Sequence, residues 1–192
     1  MKAAGARRHE VRIIGGQWRR SLLPVADKPG LRPTPDRVRE TLFNWLGQDL
    51  SGWRVLDAFA GSGALGFEAA SRGAAEVLLV EQEGDLVRLL DAARERLKAT
   101  NLRVQRGDGL AQLRSATARY ELVLLDPPFG TGLGATALAA AARAVAPGGW
   151  VYLEAGEAPP AALPAGLQPY RSGRAGAVHY ALFQAQDPGE HG

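Results

Sequence analysis

Four apolar runs of the chain each lead to an acidic residue, and this repeated pattern constrains the fold more than any other feature of the sequence. The runs occupy residues 53–56, 77–80, 102–104 and 120–125, and the acids that follow them are Asp57, Glu81, Asp108 and Asp126. Stretches with helical periodicity separate the runs, which predicts alternating strands and helices around a parallel sheet. The carboxyl ends of parallel strands share one sheet edge, where ligands bind. We therefore predict an α/β, Rossmann-like fold with four carboxylates at its ligand edge.

The turn after the first run is rich in glycine and leads into a helix. Gly61, Gly63 and Gly66 match the spacing of the dinucleotide-binding fingerprint, in which glycines let the backbone approach a ligand closely. Asp57 distinguishes two ligand classes, because a carboxylate repels a pyrophosphate but stabilises the amino-acid ammonium of S-adenosylmethionine. The turn therefore favours a methyltransferase over a nicotinamide dehydrogenase. We also expect the chain to lack the catalytic domain that a dehydrogenase would need.

The next two acids suit other parts of the same cofactor. Glu81 can accept hydrogen bonds from both ribose hydroxyls, although a dinucleotide would use an acid there as well. Asp108 can accept from the adenine amino group while the backbone amide of Gly109 or Leu110 donates to the ring. The alternative for Asp108 is a structural role as the N-cap of the short helix that follows.

The fourth run ends in the turn Asp126-Pro127-Pro128-Phe129. Two consecutive prolines remove two backbone donors and fix φ, which leaves the carbonyl oxygens of the turn free beside a carboxylate. Asp126 and the Pro127 carbonyl can accept the two N–H bonds of a planar amino group while Phe129 stacks on its ring. The turn resembles the signature of methyltransferases that modify amino nitrogens. Taken alone, it is equally compatible with a strand end followed by a proline-rich loop.

Positive charge is concentrated towards the N-terminus. Residues 1–39 hold ten Lys and Arg against three Asp and Glu, whereas acidic residues exceed basic ones by four in the rest of the chain. A basic segment on a mildly acidic body predicts a polyanionic partner, and arginine suits forked contacts to phosphate.

Residues 11–20 predict a short β-hairpin with its tight turn at Gly15-Gly16. The side chains on its arms that are suited to contact phosphates or stack on bases are Arg12, Trp18, Arg19 and Arg20. Alternatively, Trp18 packs against the body of the protein.

A helix start follows the hairpin. We predict Thr34 as the N-cap and Pro35 as the first helical residue, and Gly47 ends the helix. Arg32, Thr34 and Arg37 gather at the N-terminal end of this helix, where backbone donors point outward. This end is therefore a candidate contact for cofactor or nucleic acid.

The remaining segments complete the alternation of helices and strands. Helices are predicted over residues 85–99 and 135–146, the second ended by Pro-Gly-Gly at 147–149. Strands are predicted at residues 150–154, 168–171 and 177–184, with residues 172–176 joining the last two. Residues 1–10 and 186–192 are expected to be disordered.

Composition excludes several kinds of protein. The absence of cysteine excludes a disulfide framework, a thiolate metal site and a cysteine nucleophile, so methylation of a pyrimidine carbon through a cysteine adduct is not expected. No metal site is predicted. No segment has the pattern of a membrane span or a targeting signal, so we expect a cytoplasmic protein. We also expect a monomer.

Motifs distributed over nearly the whole chain, apart from its two tails, indicate one family. The matching segments are residues 12–19, 30–34, 36–46, 59–66 and 126–129. In these segments the chain closely resembles the bacterial 16S rRNA (guanine-N2)-methyltransferases, which methylate the exocyclic N2 of one guanine in the small-subunit RNA. The loop at residues 159–166 departs from the family, and no role is assigned there.

The resemblance implies a class I, S-adenosylmethionine-dependent fold with strand order 3-2-1-4-5-7-6, and an assembled small ribosomal subunit or late precursor as the partner. We expect a basic arm and hairpin over residues 1–31, a methyltransferase domain over 32–185 and a tail at 186–192. The predicted catalytic residues are Asp126, Pro127 and Phe129. The predicted cofactor-binding residues are Arg32, Thr34, Asp57, Phe59, Gly61, Gly63, Glu81, Asp108, Gly109 and Leu110. The predicted RNA-binding residues are Arg12, Trp18, Arg19, Arg20 and Arg37.

Other functions remain open at this point. A DNA adenine-N6 or protein glutamine-N5 methyltransferase fits the same acceptor turn. The arginine-rich hairpin favours nucleic acid over glutamine, and only the family resemblance favours guanine over adenine. An RNA-binding protein without activity is disfavoured, because no glycine or acid of the site is lost.

Overall fold

The computed structural model describes residues 9–189, which form two sheets and five α-helices in that range. The helices are α1 (Asp36–Leu46), α2 (Ala64–Ser71), α3 (Gly84–Arg96), α4 (Gly109–Ser115) and α5 (Leu133–Ala144). The strands are β1 (His9–Arg12), β2 (Leu22–Val25), β3 (Arg54–Asp57), β4 (Glu76–Glu81), β5 (Leu102–Arg106), β6 (Tyr120–Leu125), β7 (Val145–Ala155), β8 (Leu167–Ala175) and β9 (Val178–Ala185).

The large sheet has seven strands in the order β5-β4-β3-β6-β7-β9-β8. Neighbouring strands from β5 to β7 are parallel, and β9 lies antiparallel between β7 and β8. Counted from β3 as the first strand, this order is 3-2-1-4-5-7-6. The predicted fold class and strand order are therefore confirmed.

Strand β6 shows why the central strands are apolar throughout. Leu122 and Leu124 point to one face of the sheet, and Val123 and Leu125 point to the other. The first face packs on side chains from helices α1, α2 and α3, and the second on side chains from α4 and α5. Full burial of one such side chain contributes about 1.5–3 kcal/mol, so the two faces hold the sheet edge in a fixed position.

The predicted hairpin is present, but its tight turn at Gly15-Gly16 was wrong. Strands β1 and β2 pair antiparallel, and residues 13–21 form a long connection between them. The connection takes its shape from helix α2, because the Gln17 amide donates to the Ser71 carbonyl oxygen at 2.9 Å and the Trp18 amide to Ser71 Oγ at 3.0 Å.

The N-terminal strand begins earlier than the sequence predicts. His9 and Glu10, which were expected to be disordered, belong to β1 and pair with β2. The rest of that prediction, with the basic residues Lys2, Arg7 and Arg8, lies outside the described residues.

Helix α1 begins differently from the prediction and ends as predicted. Pro35 is the N-cap and makes no side-chain capping bond, so Thr34 as the cap was wrong. The Thr34 hydroxyl instead donates to Glu154 of strand β7, at 3.0 Å. Gly47 ends the helix with a φ of +90°, a conformation that glycine adopts without strain.

Three other boundaries differ from the predictions. Helix α3 ends at Arg96, and helix α5 ends at Ala144, so that the Pro-Gly-Gly sequence lies inside β7. Val145 pairs with Tyr120, which shows that sheet pairing outweighs the local breaker. Strand β8 continues to Ala175, so the predicted connection at 172–176 shortens to Gly176-Ala177. Of the predicted tail, residues 190–192 lie outside the described range.

Within residues 9–189, none of the helices has the length and apolar character needed to cross a membrane.

Candidate active site

Strand register brings several carboxyl groups together at one edge of the large sheet. Leu125 of β6 and Leu153 of β7 are partners, so the next residues, Asp126 and Glu154, are neighbours. Asp57 ends the adjacent strand β3 on the other side of β6. The strand ends therefore meet at one edge, as the alternation of strands and helices predicts.

The glycine turn before α2 is shaped by close contacts inside the protein. A Cβ atom on Gly66 would lie 2.0 Å from Leu79 Cδ2 and 3.0 Å from Asp57 Oδ2. A Cβ on Gly63 would lie 2.6 Å from Leu90 Cδ2, and Gly63 has a φ of +81° where it caps the helix. At these two positions the helix packs too closely for a side chain. The sequence analysis had explained the glycines by the approach of a ligand.

Asp57 is fully buried, and one of its carboxylate oxygens is bonded. Oδ2 accepts from the Gly66 amide at 3.1 Å, whereas Oδ1 has no hydrogen-bond partner among residues 9–189. Burial raises the pKa of Asp57 to about 7, and the hydrogen bond from Gly66 only partly opposes this. A buried oxygen without a donor is unfavourable, so this atom fits the ammonium group of an amino-acid ligand.

Glu81 is held at the end of β4 by two backbone amides. Its Oε2 accepts from Gly61 at 2.8 Å, and its Oε1 accepts from Glu83 at 3.0 Å. Each carboxylate oxygen can accept a further bond, so the carboxylate is fixed in orientation and retains capacity for a pair of hydroxyls. The ribose contact of Glu81 stays a prediction.

Asp108 has the structural role that the sequence analysis weighed as an alternative. It is the N-cap of α4, and its Oδ1 accepts from the Leu110 amide at 3.0 Å. Gly109 is buried, and a Cβ there would lie 2.1 Å from the Ala58 carbonyl oxygen and 3.3 Å from Phe59 Cε1. The loop after β5 therefore lies directly against the glycine turn. An adenine contact in this loop stays a prediction.

The segment before α1 crosses the glycine turn. Leu31 Cδ1 lies 3.2 Å from the position of a Cβ on Gly61. Lys28 anchors the segment, because its Nζ donates to Asp85 at 2.8 Å and to Glu83 at 3.3 Å. Arg32, which follows Leu31 in this segment, has an exposed side chain. A cofactor on the glycine turn would lie beside this segment.

The turn after β6 places an aromatic ring beside a carboxyl group. Asp126 is half-buried, and the phenyl ring of Phe129 is 62% exposed. The ring lies over Gly156, where a Cβ would be 2.4 Å from Phe129 Cζ. The Pro128 carbonyl accepts from Thr131 Oγ1 at 2.7 Å, so the expectation that the carbonyls of the turn are free was wrong for Pro128. The exposed ring and the carboxyl leave room for a flat, donor-bearing group.

Glu154 is a site residue that the sequence analysis missed. It is 5% exposed, and its Oε2 accepts from Thr34 Oγ1 at 3.0 Å while its Oε1 accepts from the Tyr152 hydroxyl at 2.7 Å. Burial raises the pKa of Asp126 well above its usual range, and the adjacent Glu154 carboxylate adds to this shift. The signal was present in the sequence, because Glu154 ends a fifth apolar run.

Four of the predicted RNA-binding side chains are on the surface. Arg12, Arg19, Arg20 and Arg37 are exposed. Trp18 is half-buried and packs against the core, which is the alternative that the sequence analysis left open. A groove of about 820 Å³ runs between the hairpin connection, which contributes Arg19, and the outer face of α1. The hairpin and the first helix therefore form one continuous surface.

A buried ion pair fixes the hairpin to the sheet domain, and the sequence analysis missed it as well. Glu68 of α2 accepts from the amides of Ile14 and Gly15, each at 2.9 Å. It also accepts from Arg39 Nη1 at 3.3 Å and from Arg72 Nε at 2.9 Å. Arg39 is fully buried and donates in addition to the Arg12 carbonyl at 2.8 Å. The hairpin connection is thus held by groups from two helices.

The strand order, with its glycine turn and its edge of carboxyl groups, defines a class I, S-adenosylmethionine-dependent methyltransferase. The fold is shared with Trm1 from Pyrococcus horikoshii, a structure solved with S-adenosyl-L-methionine, at a TM-score of 0.70 and 14% identity over 93% of this chain and 62% of that one. The model of the family described as Conserved hypothetical protein 95 matches residues 11–184, and the chain belongs to this family.

Individual relatives span nearly the whole chain. Ribosomal RNA small subunit methyltransferase D of Escherichia coli K12 is 42% identical, over 94% of this chain and 93% of its own length. The protein of the same name from Haemophilus influenzae is 37% identical, over 91% and 94%. The solved structure of the proposed methyltransferase yhhF from Escherichia coli superposes with a TM-score of 0.82 at 41% identity, over 93% and 99%. The family resemblance seen in the sequence is therefore confirmed.

Proposed function

We propose that the protein transfers a methyl group from S-adenosylmethionine to the exocyclic N2 of a guanine in 16S ribosomal RNA. The observation that carries the proposal is the exposed ring of Phe129 beside the half-buried carboxyl of Asp126, at the sheet edge that holds the glycine turn. The names of the relatives from Escherichia coli and Haemophilus influenzae support small-subunit RNA as the substrate. The sequence resemblance supports guanine N2 as the acceptor.

The residues of the sheet edge fit the cofactor in distinct ways. The unpaired Oδ1 of Asp57 accepts from the ammonium group, and the oriented carboxylate of Glu81 accepts from the ribose hydroxyls. S-adenosylmethionine supplies the methyl group from a sulfonium, which makes the methyl carbon electrophilic. The groups assigned to the rest of the cofactor are Arg32, Phe59, Gly61, Gly63, Asp108, Gly109 and Leu110. Thr34 moves from the cofactor set to the acceptor side, because its hydroxyl bonds to Glu154.

The acceptor turn orients the amine. A target base must leave its stack to reach an enclosed site, and Phe129 offers the extruded base a face to stack on. Asp126 and the Pro127 carbonyl accept from the amino group, which directs the nitrogen lone pair towards the methyl carbon. That lone pair is delocalised into the guanine ring, so hydrogen bonds that favour a pyramidal nitrogen lower the barrier.

The basic N-terminal region gives the RNA a contact surface. We assign RNA binding to residues 1–31 with Arg37, and methyl transfer to residues 32–185. The exposed arginines Arg12, Arg19 and Arg20 contact phosphates beside the flipped nucleotide. The substrate is the assembled small subunit or a late precursor, and the protein acts as a monomer in the cytoplasm.

A methyl-transfer assay with defined acceptors tests the proposal. Labelled S-adenosylmethionine is offered with 30S particles from cells that lack the endogenous enzyme, with naked 16S RNA, and with duplex DNA. The expected product is N2-methylguanosine in the RNA of the particles, identified by mass spectrometry of the nucleosides. Label in DNA, in ribosomal protein or at another nucleoside would overturn the assignment.

A further inference from the structure

Glu154 lies where the proposed chemistry releases a proton. Leu125 and Leu153 are strand partners, so Asp126 and Glu154 follow them side by side, and hydrogen bonding between the two carboxyls contributes to the pKa shifts of both. Both groups lie in an environment of low polarity, where two adjacent carboxylates cannot both be ionised without a large cost. The two groups therefore form a carboxyl pair.

The surroundings of the pair are unequal. Burial raises the pKa of Glu154, but the hydroxyls of Thr34 and Tyr152 both donate to it, at 3.0 and 2.7 Å, and these bonds favour its ionised form. Arg39 Nε donates to the Thr34 carbonyl at 3.2 Å and brings a positive charge behind Glu154. Asp126 faces the negative charges of Glu154 and Asp57. A single proton on the pair therefore belongs on Asp126.

We propose that Glu154 is a positioning residue that shares one proton with Asp126 and takes up the proton released by methylation of the substrate amine. The inference rests on the proposed function only in that an amine is the acceptor.

The proton balance follows from this arrangement. The lone pair of the amine nitrogen forms the new N–C bond, and the electrons of the broken bond stay on the donor sulfur. One N–H bond then breaks, its electrons remain on nitrogen, and its proton goes to the free oxygen of Asp126. The proton already on the other Asp126 oxygen passes to Glu154. The pair changes from a charge of −1 to zero and later loses the proton to water.

Several titratable groups surround the pair. Asp57 faces it from β3 and Arg39 from α1. Tyr152 faces it from β7, and Tyr180 of β9 is the strand partner of Glu154. Burial beside Glu154 raises the pKa of Tyr152 well above its usual range, so this hydroxyl remains a donor in the working pH range.

The proton content of the pair can be measured without cofactor or RNA. Carbon-13 spectra of protein labelled at Asp and Glu carboxyls are recorded against pH, and the signals are assigned with Asp126→Asn and Glu154→Gln. One carboxyl of the pair is expected to stay protonated at pH 7 and the other to be ionised. Two ionised carboxyls at pH 7 would overturn the proposal, whatever the substrate is.

The pH dependence of single-turnover methyl transfer then tests the role of Glu154. Thr34→Val and Tyr152→Phe each remove one donor to its ionised form, so the acidic limb of the profile should move up by about one pH unit. Glu154→Gln removes the group of the pair that ionises more readily, so activity then requires the ionised form of Asp126; the limb should move up while the maximal rate falls about 10–100-fold.

A merely structural role would give a different result. It would lower the rate equally at every pH and leave the limb in place, and that outcome would overturn the proposal. Glu95→Gln, at an exposed position on α3, is the matched control and should change neither quantity. Where Glu154→Gln fails to fold, the two hydroxyl variants decide the question. Methylation by the wild type of an amine other than guanine N2 would overturn only the proposed substrate.

Discussion

Among residues 9–189, buried and half-buried carboxyl groups of two kinds have opposite surroundings. Glu68 of helix α2 accepts four hydrogen bonds, two from backbone amides of the hairpin connection and two from arginines. Asp57 at the sheet edge has one oxygen without a partner, and Asp126 lies beside another carboxyl group. Glu68 is satisfied by the protein itself, whereas Asp57 Oδ1 at the sheet edge has no partner among residues 9–189. The comparison separates a carboxylate that holds the fold from those to which we assign the proposed chemistry.

The largest effect is expected for Asp126→Asn. Single-turnover methyl transfer to 30S particles should fall about 10²–10⁴-fold, because the side chain loses an acceptor for the amine and for its proton. The free energy of unfolding should change little, since the amide replaces a carboxyl that carries the proton shared with Glu154. Asp91→Asn, at a half-buried position on α3 outside the site, is the matched control. Near-normal turnover with unchanged cofactor affinity would contradict the role of Asp126.

Glu68→Gln should mainly lower the free energy of unfolding, whereas Asp126→Asn mainly lowers the rate of methyl transfer. Loss of the Glu68 charge leaves Arg72 without a carboxylate partner and Arg39 with only the partly exposed Asp36, which costs about 3–5 kcal/mol of unfolding free energy and lowers Tm by on the order of 10 °C. Denaturant unfolding measures the loss, with Glu95→Gln as the control. A cost no larger than that of Asp126→Asn would remove the distinction between the two groups.

The raised pKa of Asp57 predicts that stability and ligand affinity depend on pH, with an effect smaller than those of the two preceding variants. Its folded pKa of about 7 exceeds the unfolded value, so the folded protein binds the extra proton between about pH 4 and 7. The contribution of Asp57 to stability is therefore greatest at the acidic end of this window and falls as pH rises towards 7. An ammonium ligand needs the ionised form, so affinity for S-adenosylhomocysteine should increase severalfold from pH 6 to 7.5.

Calorimetry checks this dependence, because binding below pH 7 should also release a proton to the buffer. Asp57→Asn should bind more weakly and lose both the pH dependence and the proton release. Retention of the same pH dependence by the variant would assign it to another group.

The smallest effect is expected on the hairpin surface that Glu68 helps to hold. Arg19→Ala combined with Arg20→Ala should reduce the slope of log affinity against log salt by about one to two for RNA binding. Cofactor affinity should not change, because neither side chain is near the sheet edge. Arg88→Ala with Arg114→Ala removes the same charge elsewhere on the surface. An equal change of slope in this control would show that only net charge matters.

The carboxyl groups of the sheet edge could be predicted from the sequence because each strand end is identified by a few consecutive residues. An apolar run that ends in an acid identifies a strand and its carboxyl end, and the alternation with helices then places all such ends together. The same rule applied to Glu154 would have found the fifth acid. What it could not provide is the partner of each carboxylate, since the distance from Thr34 to Glu154 in the chain is 120 residues.

The ion pair that holds the hairpin was missed for a different reason. Arg39 was counted as part of the basic N-terminal charge, yet it lies three and seven residues before Leu42 and Leu46, on the buried side of α1. Its position in the apolar stripe was the available signal. The long hairpin connection was not available from sequence at all, because a Cβ on Gly16 would lie 1.9 Å from the Ser71 carbonyl oxygen. The glycine is favoured both by the close approach of helix α2 and by its own φ of +77°.

Helix α2 therefore sets the distance between the glycine turn and the hairpin connection. Its first residue follows the glycine turn, and its last residue, Ser71, bonds the hairpin connection through both its carbonyl and its hydroxyl. Eight residues at about 1.5 Å each give a rigid rod of about 12 Å. If the hairpin binds RNA as proposed, the bound phosphates are kept at a set separation from the methyl group. The target nucleotide would then be selected by its distance from those phosphates as well as by the identity of its base.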